Sequence, residues 1–145
     1  MARIYLASSW RNSFQEDAVK MLRAAGHEVY DFKNPTNGVK GFAWSEIDPD
    51  WQCWKADQYR NLLTTHPIAA LGYMNDFRAM EWADTCVLLL PCGRSAHLEG
   101  GWFAGRGKRL IIRTRDGEEP ELMALMANHI VTSDEELLRA LEASK

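Results

Sequence analysis

Cysteine is scarce in this chain: Cys53, Cys86 and Cys92 are the only three among 145 residues. An odd count without paired ligand spacing argues against both a disulfide framework and a structural zinc site, so reduced thiols are expected. No apolar run is long enough to span a bilayer, and the N-terminus enters a strand-like segment without a signal-peptide pattern. A cytoplasmic protein with no membrane partner is expected. Excess positive charge is missing too. The formal net charge is -3, and the mixed Lys, Arg, Asp and Glu form no basic stripe of the kind a phosphate backbone requires, which makes a nucleic acid polymer a poor partner. Repeats and low-complexity tracts are absent.

What is present fits one domain over residues 1–145, with 46% hydrophobic residues and therefore a real core. Arg3 to Ala7, "RIYLA", is a short apolar run ending in Ser8-Ser9. From Phe14, the residues Phe14, Ala18, Met21, Leu22 and Ala25 recur at helical spacing until Gly26 stops them. "HEVYDF" from His27 to Phe32, "CVLLLP" from Cys86 to Pro91 and "RLIIR" from Arg109 to Arg113 read as three further strands. A helix starting near Ala96 separates the last two. Pro120 opens a short helix, "HIVT" from His129 offers a last strand, and Ser133 with Glu136 forms a capping box for a C-terminal helix.

Strand and helix alternate, which implies a parallel sheet covered on both faces, because each parallel crossover is long enough to hold a helix. Ligands bind such sheets beyond the carboxyl ends of the strands. That directs attention to two loops, Ser8 to Asn12 and Cys92 to Glu99, which are distant in sequence and adjacent in such a fold. A segment at about 33–67 breaks the rhythm. It carries Pro35, Asn37-Gly38, Gly41 and Pro49 together with Phe42, Trp44, Trp51, Trp54 and Tyr59. Its aromatics are either a lid that stacks on a planar ligand or a satellite core under a long loop.

Within "CGRSAHLEGGWFAGRGK", Cys92 to Lys108, one carboxylate stands out. Glu99 in a first helical turn is ordinary on dipole grounds alone, worth on the order of 0.3 to 1 kcal/mol. Here, however, Gly100, Gly101, Gly105 and Gly107 follow it, a poor helical composition that favours close approach of a ligand. A carboxylate at the carboxyl edge of a parallel sheet, kept ionised by a helix N-terminus, is chemically suited to act as a nucleophile. Asp76, in "MNDFRAMEWAD", either shares an inward helix face with Met80 and Ala83 or, like Asn75, caps a helix restarted there. Asp84 reads as a turn residue. Cys92 and His97 would make a nucleophilic pair only if the imidazole reached the sulfur, which the spacing does not ensure.

The segments "RIYLASSWR", "NDFRAMEWAD" and "GRSAHLEGGWFAGRGK" resemble, in order and spacing, the nucleoside 2-deoxyribosyltransferase superfamily, which includes the deoxynucleoside 5'-monophosphate N-glycosidases. The resemblance spans about residues 3 to 112. It implies an α/β fold, a flavodoxin-like (Rossmann-like) three-layer sandwich with a five-stranded parallel sheet. It also implies cleavage or transfer of an N-glycosidic bond with retention, on a nucleoside or nucleoside 5'-monophosphate, without metal or organic cofactor. Glu99 matches the family's nucleophile, Asp76 the acid that engages the base, and Tyr5 the tyrosine that orients the nucleophile. Ser8, Ser9, Arg11 and Ser95 stand where some members hold a 5'-phosphate. Trp10, Gly93 and His97 complete the two loops as candidate substrate contacts, with Trp51 and Trp54 from the insertion. Where the transferases carry a second base-contacting Asp, this chain has Pro91-Cys92. Family members complete their sites across subunits, so a homodimer or larger even homo-oligomer is expected, with Trp10, Trp82 and Trp102 as apolar surface in need of cover. A TIR-like NAD glycohydrolase and a non-catalytic nucleotide-binding module are the competing readings.

Overall fold

The computed structural model describes residues 1–35 and 40–143. Asn37 and Gly38 lie outside the described residues. Two compact units make up the chain, one formed by Met1–Asp31 and Met80–Lys145, the other by Phe32–Ala79.

The first unit is built on a five-stranded sheet, β1 (Arg3–Ala7), β2 (Glu28–Tyr30), β3 (Thr85–Leu89), β4 (Arg109–Arg113) and β5 (His129–Val131), in the order β2-β1-β3-β4-β5. All four pairings are parallel. This is the flavodoxin-like order. Helices α1 (Gln15–Ala24), α4 (Arg94–Gly105) and α5 (Asp134–Glu142) belong to this unit, while α2 (Ala56–Thr65) lies in the other and α3 (Pro67–Trp82) runs through the boundary.

Alternation along the strands sorts the side chains. Ile4, Leu6, Val87, Leu89, Ile111 and Val131 pack with Ala18, Val19 and Leu22 of α1 and Leu137, Ala140 and Leu141 of α5 in one buried cluster. Tyr5 points to the opposite face, where Phe103 of α4 meets it. Two arginines of "RLIIR" are buried because α5 gives them acceptors. The Arg109 guanidinium donates to Thr85 Oγ1 and to the carbonyls of Ala140, Leu141 and Ala143, closing the end of α5; Arg113 Nε donates to Asp134 Oδ1 at its start, 3.1 Å. Gly26, at φ +93°, ends α1 as its sequence position suggested. Ser133 Oγ accepts from Glu136 N, but the Glu136 carboxylate accepts from Thr132 N rather than from the N–H of the cap itself. The expected helix at Pro120 is a 3-10 segment, Leu122–Met126.

The second unit corrects two expectations. The segment at about 33–67 is not irregular throughout: it contains 3-10 turns at Trp44–Glu46 and Trp51–Cys53 and the ten-residue α2. No helix restarts at Asn75 or Asp76, since α3 is continuous from Pro67 to Trp82, so neither residue is a cap. Trp44 is the hub of an aromatic cluster, edge-on to Phe42 (4.8 Å), Trp54 (5.7 Å) and Tyr59 (5.9 Å). Gly72 of α3 faces Phe42 so closely that a methyl group there would lie 2.9 Å from Phe42 Cβ.

Candidate active site

The β1 loop and the β3 loop meet through side chains that polar sequence made look like surface. Asn12, buried, donates from Nδ2 to Ser8 Oγ (2.8 Å), Leu89 O (3.1 Å) and Pro91 O (3.1 Å), while its Oδ1 accepts from Phe14 N. Ser8 Oγ donates to Leu89 O at 3.1 Å. These bonds tie the ends of β1 and β3 together, as the topology required. They also consume Ser8, whose hydroxyl holds the loop. Ser9 Oγ accepts from Arg11 N, and Ser9, Trp10 and Arg11 lie at the surface of the loop, Ser9 partly covered.

Glu99 sits one turn deeper in α4 than its sequence context suggested. The helix begins at Arg94, after Gly93 as N-cap, so Glu99 is in the second turn and the first turn holds no acid. The dipole's influence falls off within that first turn. What holds the carboxylate is instead the Tyr5 hydroxyl, which donates to Glu99 Oε2. Tyr5 comes from the middle of β1, is 1% exposed, and is fixed by rings on two sides: Tyr30 stacks at 5.4 Å and 13°, and Phe103 lies at 5.8 Å. Phe103 follows Glu99 by four residues, so both face Tyr5 from one side of α4.

The glycines after Glu99 are not demanded by packing. A methyl at Gly100 would make ordinary contacts with Leu110 (3.5 Å) and Leu88 (3.8 Å), and one at Gly101 or Gly105 would meet nothing within 4 Å.

Cys92 and His97 do approach, at 3.8 Å between Sγ and Nδ1, but not as a nucleophile and its base. His97 Nδ1 lies 2.8 Å from Gly93 O, a carbonyl that can only accept, so this nitrogen carries its own proton. Burial, with the Glu118 and Glu99 carboxylates adding to it, pushes the Cys92 thiol up to about 12. Its thiolate is unavailable at neutral pH. Cys92, Gly93 and His97, with Arg94, Leu98 and Glu121, line an open groove of about 620 Å3. Glu99 does not line it; the carboxylate is half-buried beside Tyr5. Ser95 is exposed in the first turn of α4.

Asp76, Trp51 and Trp54 belong to the other unit. Asp76 lies in the second half of α3. Trp54 is held within the aromatic cluster, its indole Nε1 donating to Asp48 Oδ2 at 2.8 Å, a bond that keeps the Asp48 carboxyl below its ordinary range. Trp51 is 38% exposed. Of the tryptophans expected to need cover, Trp82 and Trp102 are half-buried under cations, Arg3 over the first and Arg106 and Lys108 over the second; Trp10 is half-exposed. Among the described residues, no group of three or more His, Cys, Asp and Glu could hold a metal ion, and no helix is long and apolar enough to cross a membrane.

No protein-family model matches the sequence, and no curated protein matches it. Solved structures do match. The 2-deoxyribosyltransferase of the psychrotolerant bacterium Bacillus psychrosaccharolyticus superposes with a TM-score of 0.64 at 19% identity, over 98% of this chain and 91% of that one. The chain has the fold of the nucleoside 2-deoxyribosyltransferases. The CMP N-glycosidase BcmB of Clostridium botulinum shares this deoxyribosyltransferase-like fold, at a TM-score of 0.51 and 19% identity over 97% of this chain and 98% of its own. A conserved protein of Enterococcus faecalis gives 0.61 at 16% identity, over 98% of both chains.

Proposed function

We propose that the protein cleaves or transfers the N-glycosidic bond of a nucleoside or nucleoside 5'-monophosphate, with retention, through a covalent glycosyl-enzyme on Glu99. The observation that carries this reading is the Tyr5 hydroxyl donating to Glu99, from the middle of β1 to the second turn of α4, in a fold that hosts both a deoxyribosyltransferase and a CMP N-glycosidase. A strong donor to the carboxylate fixes the direction in which it is presented. In the first step Glu99 bonds to the anomeric carbon as the C–N bond breaks; the electron pair leaves with the base, which takes a proton from an acid, the role assigned to Asp76. In the second, water or another base attacks the same carbon, the ester to Glu99 breaks, and the nucleophile's proton returns to the acid.

Ser9, Arg11 and Ser95 are assigned to a 5'-phosphate, with Ser8 building the loop that presents them. Trp51 is assigned to the base, and Trp54 to the cluster behind it. Gly93, His97 and Trp10 border the same loops. Assembly into an even homo-oligomer is supported by exposed apolar side chains near the β4–β5 connection, Leu122, Met123, Leu125, Met126 and Ile130, with Leu98 on α4.

The test is chromatography of free bases after incubation with ribo- and deoxyribonucleosides, their 5'-monophosphates and NAD. Release of a nucleobase from one class, abolished in Glu99→Gln, is the expected result. Nicotinamide from NAD alone would move the protein to a different glycohydrolase chemistry, and saturable nucleotide binding with no base released would make it a binding module.

A further inference from the structure

Tyr5 and Tyr30 are register partners on the parallel strands β1 and β2, which puts their rings side by side on one face of the sheet. They stack almost flat, 13° apart, and Phe103 closes the other flank of Tyr5. β2 has only three residues and lies at the sheet edge. The next residue ties this end of the strand to α1. Asp31 is 8% exposed and accepts from Gln15 Nε2 at 2.7 Å, and Gln15, the first residue of α1, is 0% exposed. A buried amide on a buried acid costs desolvation that only a well-made hydrogen bond offsets, and here it pins the end of β2 to the start of α1.

We propose that Tyr30 is a positioning residue for Glu99 that acts through Tyr5: the flat stack, held in place by the Gln15–Asp31 bond, fixes the direction of the Tyr5 hydroxyl. The phenol reaches Glu99 only in one ring orientation. Phe103 borders the ring from α4 at 5.8 Å and Tyr30 from β2 at 5.4 Å, so loss of the Tyr30 ring opens space into which the phenol can tilt. The catalytic meaning of this inference rests on the N-glycosidic reading, whereas the geometry does not, and the test below uses no substrate.

Titratable groups that face Glu99 include Tyr5 on β1, Cys86 on β3 and Cys92 in the loop after it; burial, with the charge of Glu99 adding to it, holds both thiols neutral. The Tyr5→Phe variant therefore defines how the titration of Glu99 responds to loss of its tyrosine donor. The experiment follows the side-chain carboxyl carbon of Glu99 by NMR against pH in protein labelled at glutamate, assigned with Glu99→Gln. Losing a donor to the ionised form raises the midpoint, so Tyr5→Phe is expected to move it up by about half a unit or more. Tyr30→Leu should move it the same way by at least half as much, and Tyr30→Phe, which keeps the ring, should restore the wild-type curve. In the Tyr5→Phe background, Tyr30→Leu should add nothing, because the path through Tyr5 is already cut. Additive shifts, or a wild-type midpoint in folded Tyr30→Leu, overturn the proposal. If circular dichroism shows Tyr30→Leu unfolded, Tyr30→Ile, a better strand former without a ring, takes its place with the same expectations.

Discussion

Tyr5 and Glu99, 94 residues apart in sequence, form a side-chain hydrogen bond from the middle of β1 to the second turn of α4. Phe at position 5 keeps the ring between Tyr30 and Phe103 and removes only the donor. A hydrogen bond to a charged group is worth roughly 1.5 to 3 kcal/mol, which corresponds to about a 10- to 100-fold fall in turnover if the bond acts on the reacting carboxylate. Steady-state kinetics on whichever substrate releases base should show this in kcat with little change in KM. An unchanged kcat would separate Tyr5 from the chemistry.

Glu99→Gln keeps shape and helical propensity but cannot form the ester. Turnover is expected to fall by several orders of magnitude, the scale of losing a covalent pathway, with fold and binding retained. Rate alone leaves an electrostatic role open. A 2-fluoro-2-deoxy substrate analogue resolves it by slowing hydrolysis of the intermediate: one glycosyl mass should appear on the wild-type chain, mapped to Glu99. A label on Asp76 or Cys92 would reassign the nucleophile.

Cys92 and Cys53 should differ sharply in reactivity. Cys53 is exposed, whereas the Cys92 thiol titrates near 12. Iodoacetamide at pH 8 should label Cys53 first, and Cys92→Ser should remain active. A thiol whose folded pKa lies above its unfolded value favours folding while both states are protonated. Its contribution is complete below about pH 8.5, the ordinary thiol value, and is lost as pH rises from there toward 12. Cys86, whose thiol full burial also raises, acts in the same direction. Denaturant midpoints should therefore fall across that range, and less steeply in Cys92→Ser.

The glycines of the two units should answer oppositely to alanine. At Gly101 a methyl group meets nothing and helical propensity improves, so stability should rise by about 0.5 to 1 kcal/mol. At Gly72 the methyl group would press on Phe42 Cβ, which cannot rotate away, and a loss of about 1 to 3 kcal/mol is expected. Thermal melts of both variants decide the point.

Trp54→Ala removes a ring from the Trp44 cluster and leaves Asp48 without its indole donor, so it should lower the melting temperature. Trp51→Ala should leave that temperature nearly unchanged and raise KM instead. Reversal of the two phenotypes would exchange their roles.

Much of the sheet could be read from the chain because buried parallel strands are continuous apolar runs, and "CVLLL" and "RLIIR" announce themselves. The Tyr5–Glu99 partnership was accessible only through resemblance; nothing in the spacing of a strand tyrosine and a helical acid fixes it. Asn12 and Gln15 were invisible. Each is a polar residue in or beside a polar loop, and only the fold shows that one bridges two strand ends and the other anchors a third. Helix α2 escaped for a different reason. Ala56, Tyr59 and Leu63 do recur at helical spacing, but the Pro and Gly residues upstream mark the whole segment as loop, and none of the helix's residues is buried. The apolar pattern starts at Ala96, two residues after α4 begins, because Arg94 and Ser95, exposed in its first turn, carry no apolar signal.

The bonds that join the two loops also give the rim of the sheet a polarity. Leu89 O accepts from both Ser8 and Asn12, Pro91 O from Asn12, Leu90 O from Arg115, and Gly93 O from His97. Four main-chain acceptors in one short stretch are thereby already engaged by the protein, while the N–H groups of the first turn of α4 have no acceptor within their own helix. A ligand oxygen that accepts at this edge therefore meets main-chain donors, whereas a ligand donor competes with bonds the protein already makes to these carbonyls.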